Sequence, residues 1–317
     1  MTSRGIIALT GATGFIGQWI HRKLCDDGWR VRALTRRGPS DDNTLNAATD
    51  WIAGDLFNQG ALSDLLRGAA AVIHCAGLIK ARRAAEFQAV NGFATGLLGQ
   101  CIGRSDSVAQ VILLSSLAAR EPALSAYAAS KRAGEDALAG LAHDRTLTIL
   151  RPPAVYGPGD RETLALFRGA RLGLAPLPGG RDSRLSLIHA ADLSAAVIAA
   201  LGAGGQAGGR FEIDDGQAGG YRLGALYRLA GRHFNRRPRE IVIPYRLLRG
   251  LGLGNLAVAR LFGYRPMLTP GKARELCHPD WVADGDDFTR RTGWQPEIAA
   301  DRGFAQTIDW YRRNNFL

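Results

Sequence analysis

The sequence predicts an α/β protein in which a doubly wound parallel sheet is followed by a smaller, mostly helical domain. Apolar runs alternate with helical stretches from the start of the chain to about residue 150, and a glycine-rich turn follows the first run. Beyond Gly159 this simple alternation stops. Strands that alternate with helices form parallel sheets covered by helices on both faces. At 317 residues the chain is long enough to bury a large core of this kind.

Six apolar runs are predicted as the strands of this sheet. They span residues 4–10, 30–35, 51–53, 71–75, 110–114 and 146–150. The helices between them are predicted at residues 18–27, 60–67, 83–103 and 125–141. Ligands of doubly wound sheets bind beyond the carboxyl ends of the strands, so we expect the functional site at that edge.

The second half of the chain is predicted to hold the substrate. Residues 172–180 are rich in glycine and proline and predict a loop near the substrate, 184–188 predict a short strand, and 189–201 predict a helix. Residues 210–213 are predicted to return to the main sheet, and helices dominate from Tyr221 onward. We therefore expect a dinucleotide-binding domain at 1–170, with a returning segment near 190–216, and a discontinuous substrate-binding domain at 171–317.

Composition narrows the class of protein. The formal net charge is +11, but the cationic residues are spread along the chain with acids between them, and no nucleic-acid-binding motif is visible. This pattern favours a solvated arginine-rich surface, with a local bias towards phosphorylated ligands as the alternative. The longest apolar runs, such as residues 195–201, are too short to span a bilayer, so no transmembrane segment is expected. The four cysteines lack metal-binding spacing, which predicts no metal site and free thiols in a reducing cytoplasm: Cys25, Cys75, Cys101 and Cys277.

The glycine-rich turn predicts a Rossmann-type phosphate site. Gly11 would permit the tight turn, Gly14 would let backbone N–H groups approach a pyrophosphate, and Gly17 would allow close helix packing. The helix N-terminus that follows adds partial positive charge for an anion.

The end of the second strand indicates the type of cofactor. A domain that prefers NAD carries an acid here for the ribose 2′-hydroxyl. This chain has Arg36 and Arg37 instead, with no acid before Asp41. Two guanidinium groups can bind a 2′-phosphate, so NADP(H) is favoured over NAD(H). The alternative is that both arginines are surface residues of a loop.

A tyrosine and a lysine are predicted to act together on the helix at 125–141. Tyr127 and Lys131 are four residues apart, which places both on one face of that helix. A nearby ammonium group favours the phenolate, so we expect Lys131 to lower the pKa of Tyr127. Such a pair suits an enzyme that transfers protons.

Taken together, these residues resemble the extended short-chain dehydrogenase/reductase superfamily, in its NAD-dependent epimerase/dehydratase group. The branch of dihydroflavonol reductases and 3β-hydroxysteroid dehydrogenases is the more similar one. The resemblance covers nearly the whole chain, through segments 10–17, 54–56, 72–77, 90–91, 115–116, 127–131, 151–159, 184–193 and 292–296.

The resemblance implies a set of cofactor contacts. Asp55 would accept a hydrogen bond from the adenine amino group, with Leu56 beside the ring. Ala76 and Gly77 would leave room for the nicotinamide ribose, and residues 152–155 would line the carboxamide. The implied set also includes Thr13, Phe15, Ile16, Ser115, Pro152 and Val155.

The resemblance also implies catalytic roles. Lys131 would bind the ribose hydroxyls and keep Tyr127 acidic, and Tyr127 would exchange a proton with the substrate oxygen. Ser116, rather than Ser115, would orient that oxygen. Asn91 would hold a water or a backbone group, or would be an ordinary asparagine on a helix surface.

Two departures from the family bear on the reaction. Only ten residues separate Ser116 from Tyr127, and residues 117–119 supply no acid, which favours a reductase over a sugar-nucleotide dehydratase. The leading prediction is hydride transfer between NADP(H) and a carbonyl or alcohol of a small, apolar or phosphorylated molecule. The alternatives are a nucleotide-sugar epimerase or dehydratase that recycles its cofactor, and a non-catalytic dinucleotide sensor. The substrate stays open, and so does assembly as a homodimer.

Three features of the second half carry open interpretations. His189 is expected to be structural rather than a catalytic base. Arg184 would meet a phosphate or carboxylate of the substrate, or would pair with Asp192 or another acid. Residues 245–262 predict a basic amphipathic helix, with arginines opposite an apolar arc. Packing of that helix over a substrate pocket is favoured, and contact of the helix with a membrane is the alternative.

Overall fold

The computed structural model describes residues 5–36, 49–143 and 145–317. Over these residues the strands are β1 (Ile6–Thr10), β2 (Arg30–Thr35), β3 (Thr49–Ala53), β4 (Ala69–His74), β5 (Gln110–Leu114), β6 (Thr146–Arg151), β7 (Ala154–Tyr156), β8 (Leu174–Pro178), β9 (Arg184–Leu185), β10 (Leu187–His189), β11 (Gly209–Glu212), β12 (Tyr221–Arg222), β13 (Arg239–Ile243) and β14 (Asp280–Trp281).

The α-helices of the described residues are α1 (Phe15–Asp26), α2 (Gln59–Leu66), α3 (Ala84–Phe87), α4 (Ala94–Gly103), α5 (Ala126–Ala139), α6 (Leu164–Leu172), α7 (Ala190–Ala203), α8 (Leu223–Arg232), α9 (Tyr245–Phe262), α10 (Pro270–Leu276), α11 (Asp286–Thr292) and α12 (Ala300–Arg313). A π-helix spans Gln88–Phe93, and short 3-10 helices span Leu117–Arg120, Gly140–His143 and Gly204–Ala207.

The main sheet has the order β11-β6-β5-β4-β1-β2-β3, and all of its strands run parallel. Side chains that alternate along each strand enter two cores, one on each face of the sheet. Ile7 and Leu9 pack with α1 and α7, whereas Ala8 packs with α2 and α4. The predicted doubly wound fold is confirmed, and the return of residues near 210 to the sheet is confirmed by the pairing of β11 with β6.

The predicted helix at 83–103 is confirmed as an unbroken helical stretch from Ala84 to Gly103, but it is not α-helical throughout. It consists of α3, the π-helix and α4, with Asn91 in the π-helix. A single glycine lets this segment approach α5 closely, because a Cβ at Gly134 would overlap the carbonyl oxygen of Asn91. π-Helical turns are rare and often lie at functional sites.

The predicted loop at 172–180 is wrong in its central part. Residues 174–178 form β8, which pairs in parallel with β13. Ala175 and Leu177 are buried, while the alternate positions include Pro176 and Pro178. Proline is tolerated in a strand that lies at the edge of a sheet, so the prolines did not prevent strand formation.

The predicted strand at 184–188 is divided at Ser186. β9 pairs with β12 and β14, whereas β10 pairs with β7. Ser186 lies between the two strands. Its hydroxyl donates to Asp214 (3.0 Å) and accepts from the Ala283 backbone N–H (3.1 Å).

A long apolar helical segment is formed by α7 and the 3-10 helix that follows it. By length and composition alone, residues Ala190–Ala207 could cross a membrane, which the apolar runs of the sequence did not predict. Their apolar character is explained by packing, because Leu193 and Val197 of α7 are fully buried in the core shared with α1. The elements beyond the sheet have a third core, which includes Phe167 of α6, Leu226 of α8 and Phe304 of α12.

Candidate active site

A cleft of about 1400 Å³ lies at the carboxyl edge of the main sheet. One wall comes from the sheet side and includes Ser116, Tyr127 and Val155. The opposite wall comes from α9, α10 and the chain between them, and includes Leu256 and Met267. The cleft therefore lies where the topology predicts a ligand site.

Tyr127 and Lys131 are held by the start of α5. Ser125 caps the helix by accepting from the Ala128 backbone N–H at 3.0 Å. The Lys131 Nζ donates to the carbonyl oxygen of Leu114, at the end of β5, at 2.7 Å. The Ser116 hydroxyl forms a side-chain hydrogen bond with Tyr127.

Burial controls the protonation of both residues. It raises the pKa of Tyr127 to about 12, which the Ser116 hydrogen bond partly offsets and the Glu275 carboxylate increases. It lowers the pKa of Lys131 to about 8. The expectation that Lys131 lowers the pKa of Tyr127 is wrong for this structure, because desolvation disfavours the charged form of each group.

The two serines at the end of β5 have different partners. Ser116 faces the cleft, caps the 3-10 helix Leu117–Arg120, and accepts from the Ala118 backbone N–H at 3.2 Å. Ser115 donates to Glu135. The structure thus brings Ser116 to Tyr127 and anchors Ser115 in the interior.

Glu135 is a buried anchor that sequence reasoning missed. Its carboxylate is fully buried and receives two hydrogen bonds from Arg151, at 2.8 and 2.7 Å, and one ion pair from Arg210 at 2.9 Å. The only signal in the sequence was the position of Glu135 one turn after Lys131 on the same helix.

The glycine-rich turn has the shape of an anion cradle. Gly11 has a φ of 78°, and a Cβ there would lie 2.6 Å from the Ala76 backbone nitrogen. A Cβ at Gly17 would overlap the carbonyl oxygen of Gly11. Gly14 caps α1, Thr13 is exposed beside it, and Phe15 and Ile16 line the cleft. These residues fit the pyrophosphate of a dinucleotide, because only glycines leave the backbone and the helix N-terminus open.

A buried network fixes the backbone next to this cradle. His74 hydrogen-bonds to Thr10 at 2.7 Å and to Thr95 at 3.0 Å, and Thr10 accepts from the Ala76 backbone N–H at 3.2 Å. Burial lowers the pKa of His74 to about 3, so the imidazole is neutral. No local sequence pattern predicts this role of His74.

Asn91 holds the segment after Gly77. It accepts from the Leu78 backbone N–H at 2.7 Å and donates to the Leu78 carbonyl oxygen and to Ser130, both at 2.9 Å. Asn91 is only 4% exposed, so its interpretation as a surface asparagine is wrong. A Cβ at Gly77 would lie only 3.1 Å from the Asn91 Oδ1. The glycine avoids this tight contact and leaves its own backbone exposed.

The residues predicted for the adenosine half lie at the ends of β2 and β3. Arg36 is exposed directly after β2, and Arg37 lies outside the described residues. Asp55 accepts from the Phe57 backbone N–H at 2.9 Å, and Leu56 is buried. Pro152 and Val155, predicted to line the carboxamide, are part of the cleft lining together with Ser116 and Tyr127.

Comparison with known proteins bears on this arrangement. The model of the NAD dependent epimerase/dehydratase family matches residues 7–214. The chain belongs to this family. The predicted resemblance is therefore confirmed, and the chain is an enzyme of an NAD-dependent family that includes reductases, dehydrogenases and epimerases.

The proteins similar to this chain differ in the activities and ligands that their names give. A ceramide reductase from Caulobacter vibrioides is 40% identical over 316 residues, which covers 99% of this chain and 97% of that protein. The solved structure of gox2253 has a TM-score of 0.78 at 21% identity and covers 98% of this chain and 99% of its own. MoeE5 in complex with UDP-glucuronic acid and NAD has a TM-score of 0.75 at 21% identity, with coverage of 98% and 100%. These two structures support the fold alone.

His189 and Arg184 have defined partners in this member of the family. His189 is buried, and its Nδ1 accepts from the Ala191 backbone N–H at 3.2 Å at the start of α7, in keeping with the structural role expected from the sequence. Burial lowers its pKa to about 4. Arg184 borders the cleft and donates to the Gly219 carbonyl oxygen at 3.1 Å. Its proposed pairing with Asp192 is wrong, because that carboxylate accepts from backbone N–H groups of residues 297 and 298.

All four cysteines are free thiols, as predicted. Within the described ranges, no cluster of His, Cys, Asp and Glu side chains could hold a metal ion.

Glu275 is a further cleft residue that sequence reasoning missed. It is buried on α10, receives hydrogen bonds from Ser125 and from Lys272 (2.8 Å), and acts on the pKa of Tyr127. The sequence separates it from Tyr127 by almost 150 residues, so only the fold brings the two together.

Proposed function

We propose that the protein is an NADP(H)-dependent reductase of a ketone in a lipid-like molecule. The observation that carries the proposal is the position of Tyr127, which lines a large cleft with its phenol hydrogen-bonded to Ser116 and with Lys131 one turn away. The 40% identity to a protein named ceramide reductase supports the lipid class of substrate.

The reaction adds a hydride to the carbonyl carbon and a proton to the carbonyl oxygen, which gives an alcohol. Bound NADPH supplies the hydride. Tyr127 gives the proton, and its raised pKa keeps the phenol protonated and available as an acid. Ser116 donates a hydrogen bond to the same oxygen as negative charge develops there. Lys131 holds the ribose hydroxyls, and the turn at Gly11, Gly14 and Gly17 holds the pyrophosphate.

The preference for NADP(H) rests on Arg36. This exposed arginine directly follows β2, where the 2′-oxygen of the adenosine ribose is bound in Rossmann folds. A guanidinium group stabilises a 2′-phosphate by charge-assisted hydrogen bonds.

The substrate class rests on the lining of the cleft. Ile79, Ala81, Leu256, Met267 and Leu268 present apolar side chains to its interior. Such a lining suits acyl or sterol chains, which gain stability when their apolar surface leaves water.

A nucleotide-sugar epimerase is the second candidate. It is favoured by the cationic side chains Arg82, Arg83 and Arg184 at the cleft, which suit a diphosphate. The fate of the cofactor separates the two candidates, because a reductase consumes its cofactor, whereas an epimerase regenerates it within one turnover.

The test is a substrate panel with purified protein and NADPH. We expect net loss of NADPH absorbance with a long-chain N-acyl amino ketone and none with UDP-sugars. Interconversion of UDP-sugars without net cofactor loss would establish the second candidate instead. Absence of both activities, with retained dinucleotide binding, would overturn the enzymatic proposal for these substrate classes and favour a dinucleotide sensor.

A further inference from the structure

Helix α9 packs on the protein through a narrow face. Leu248, Gly252 and Ala259 are its buried residues. A Cβ at Gly252 would lie 2.8 Å from the backbone of Thr269, so the helix sits close against the start of α10. Leu256 and Ala259 also line the cleft. Arg260 lines the cleft as well, and the other residues of the helix, apart from the half-buried Asn255, are exposed.

The apolar arc that the sequence predicted is on the outside. At 3.6 residues per turn, its exposed members occupy about a third of the helix circumference, next to the buried face. They are Leu247 (54% exposed), Leu251 (54%), Val258 (46%), Leu261 (79%) and Phe262 (73%), and we call them the outer stripe. Helix α9 does line the cleft, as expected, but through Leu256 and Ala259; of the predicted arc only Leu248 is buried, and it is not part of the cleft lining.

The outer stripe continues to the mouth of the cleft. Tyr264 and Met267 follow α9 in the chain and are 39% and 53% exposed. Met267 lines the cleft, as do Leu276 and Ile79, which are 41% and 58% exposed. Large apolar side chains exposed together are unusual on a monomer and mark a surface that binds something.

The charges around the stripe select the partner. Residues 241–274 contain six cationic residues and no acidic one. All except Lys272 form no ion pair with any described residue, which leaves five: Arg246, Arg249, Arg260, Arg265 and Arg274. The three arginines within α9 lie together on the side of the helix opposite the stripe. A basic face opposite an apolar face is the pattern of helices that lie at the interface of anionic membranes.

We propose that the outer stripe of α9, with Tyr264 and Met267, docks on the surface of an anionic phospholipid membrane. The stripe would enter the boundary between headgroups and acyl chains, while the arginines bind lipid phosphates. The cleft mouth would then face the bilayer, so that a lipid ketone could enter without crossing water. Docking stands independently of catalysis, whereas this route of entry rests on the proposed function.

The test is flotation of the full chain with lipid vesicles. One set is phosphatidylcholine alone, and the other contains about a third phosphatidylglycerol. We expect the protein to float with the anionic vesicles and to be released by high salt. A double variant, Leu261→Asp with Phe262→Asp, should lose at least about tenfold in partitioning, because both apolar side chains stop entering the lipid.

Matched controls exclude general effects of the substitutions. Phe93→Asp removes a side chain that is 64% exposed on the π-helix and should leave flotation unchanged. Arg246→Glu with Arg249→Glu should abolish the preference for anionic vesicles, whereas Arg104→Glu, next to α4, should not. Neither stripe residue lines the cleft, so turnover of a short, water-soluble ketone should be unchanged in the Leu261/Phe262 variant.

Two outcomes would overturn the proposal. One is failure of the unaltered protein to float with either vesicle, and the other is equal loss in the Phe93 control. If the protein instead forms a dimer that the stripe variant dissociates, and no vesicle binds, the stripe is an interface between copies of this chain. A failed substrate panel combined with successful flotation would refute only the proposed function.

Discussion

Tyr127 stands in a setting that keeps it neutral. The phenol is half-buried in the cleft wall, hydrogen-bonded to Ser116, and affected by the carboxylate of Glu275. Its raised pKa suits a residue that gives a proton to a carbonyl oxygen at neutral pH. The reverse reaction, oxidation of an alcohol, needs the phenolate and should become faster as the pH rises.

Replacement of this hydroxyl is the direct test of its role. We expect Tyr127→Phe to lower kcat by about 10²- to 10⁴-fold, because the proton donor is lost while the ring that packs in the cleft remains. Dinucleotide affinity, measured by fluorescence titration, should change by less than about twofold, since the ring and Lys131 remain. Tyr264→Phe serves as the control, because its hydroxyl binds Asn255 at the surface. Retained turnover in Tyr127→Phe would exclude the catalytic assignment.

Arg36 is the second residue whose role can be tested alone. We expect Arg36→Ala to weaken NADP binding by about ten- to a hundredfold and NAD binding by less than about twofold, because only NADP carries the 2′-phosphate. Isothermal titration with both dinucleotides measures the difference. Arg30→Ala, at the opposite end of β2, should weaken neither. Equal losses for both cofactors would remove the argument for a 2′-phosphate site.

At the scale of elements, the π-helix secures residues 77–78, which precede the cleft residue Ile79. Asn91 makes three hydrogen bonds, two of them to the backbone of Leu78. A buried backbone group that loses its partner costs about 1–3 kcal/mol.

Asn91→Ala should therefore destabilise the protein by about 2–3 kcal/mol in urea unfolding, because the N–H and carbonyl of Leu78 both lose their partner. It should also weaken dinucleotide binding, because the backbone beside Gly77 is no longer fixed. Asn314→Ala removes an exposed hydrogen bond at the end of α12 and should change stability by less than about 0.5 kcal/mol. Equal stability of the two variants would show that Asn91 does not hold this segment.

The elements also show what the sequence could predict. The inner strands of the main sheet are largely buried on both faces, so they appear as apolar runs, and β2 and β5 were predicted to the residue. β8 was missed because its prolines indicate a loop unless the strand is known to lie at an edge. The bounds of α9 were predicted correctly, but its orientation was not. Amphipathicity shows that a helix has an apolar face without showing what that face contacts.

The same distinction applies to the site. The glycine turn, the serine pair and the tyrosine–lysine pair each have a local spacing, so the sequence contains a signal for them. Contacts between distant segments create the network of Thr10, His74 and Thr95 and bring Glu275 to the cleft, so no local sequence pattern predicts them. The lowered tyrosine pKa was predicted wrongly because spacing alone does not include the cost of desolvation.

At the scale of the whole molecule, the buried histidine at the end of β4 makes stability depend on pH. The pKa of His74 is lowered from 6.5 to about 3, so between these values the unfolded chain binds a proton that the folded protein does not. Its contribution to stability is complete above pH 6.5 and is lost as the pH falls towards 3. The slope is at most about 1.4 kcal/mol per pH unit.

We expect the free energy of unfolding to fall between pH 7 and pH 5 by about 2 kcal/mol less in His74→Gln than in the unaltered protein. Urea titrations at the two pH values measure this difference, and other titrating groups cancel in it. NMR titration of the His74 ring in the unaltered protein provides an independent measure and should show no protonation above pH 5. An unchanged pH dependence in the variant, or a ring that titrates near pH 6, would contradict the prediction.

The buried carboxylate of Glu135 has a consequence for how the chain can be divided. It joins α5, which carries Tyr127 and Lys131, to Arg151 at the end of β6 and to Arg210 in β11. Arg210 belongs to a segment that rejoins the sheet long after the first 170 residues. A fragment cut near residue 170 would therefore keep Gly11, Gly14, Gly17 and the proposed catalytic side chains, yet would lack one of the two cations that neutralise Glu135 on the helix that carries Tyr127 and Lys131. The nucleotide-binding half is not a portable module, and grafts or circular permutants of this enzyme should carry β11 with it.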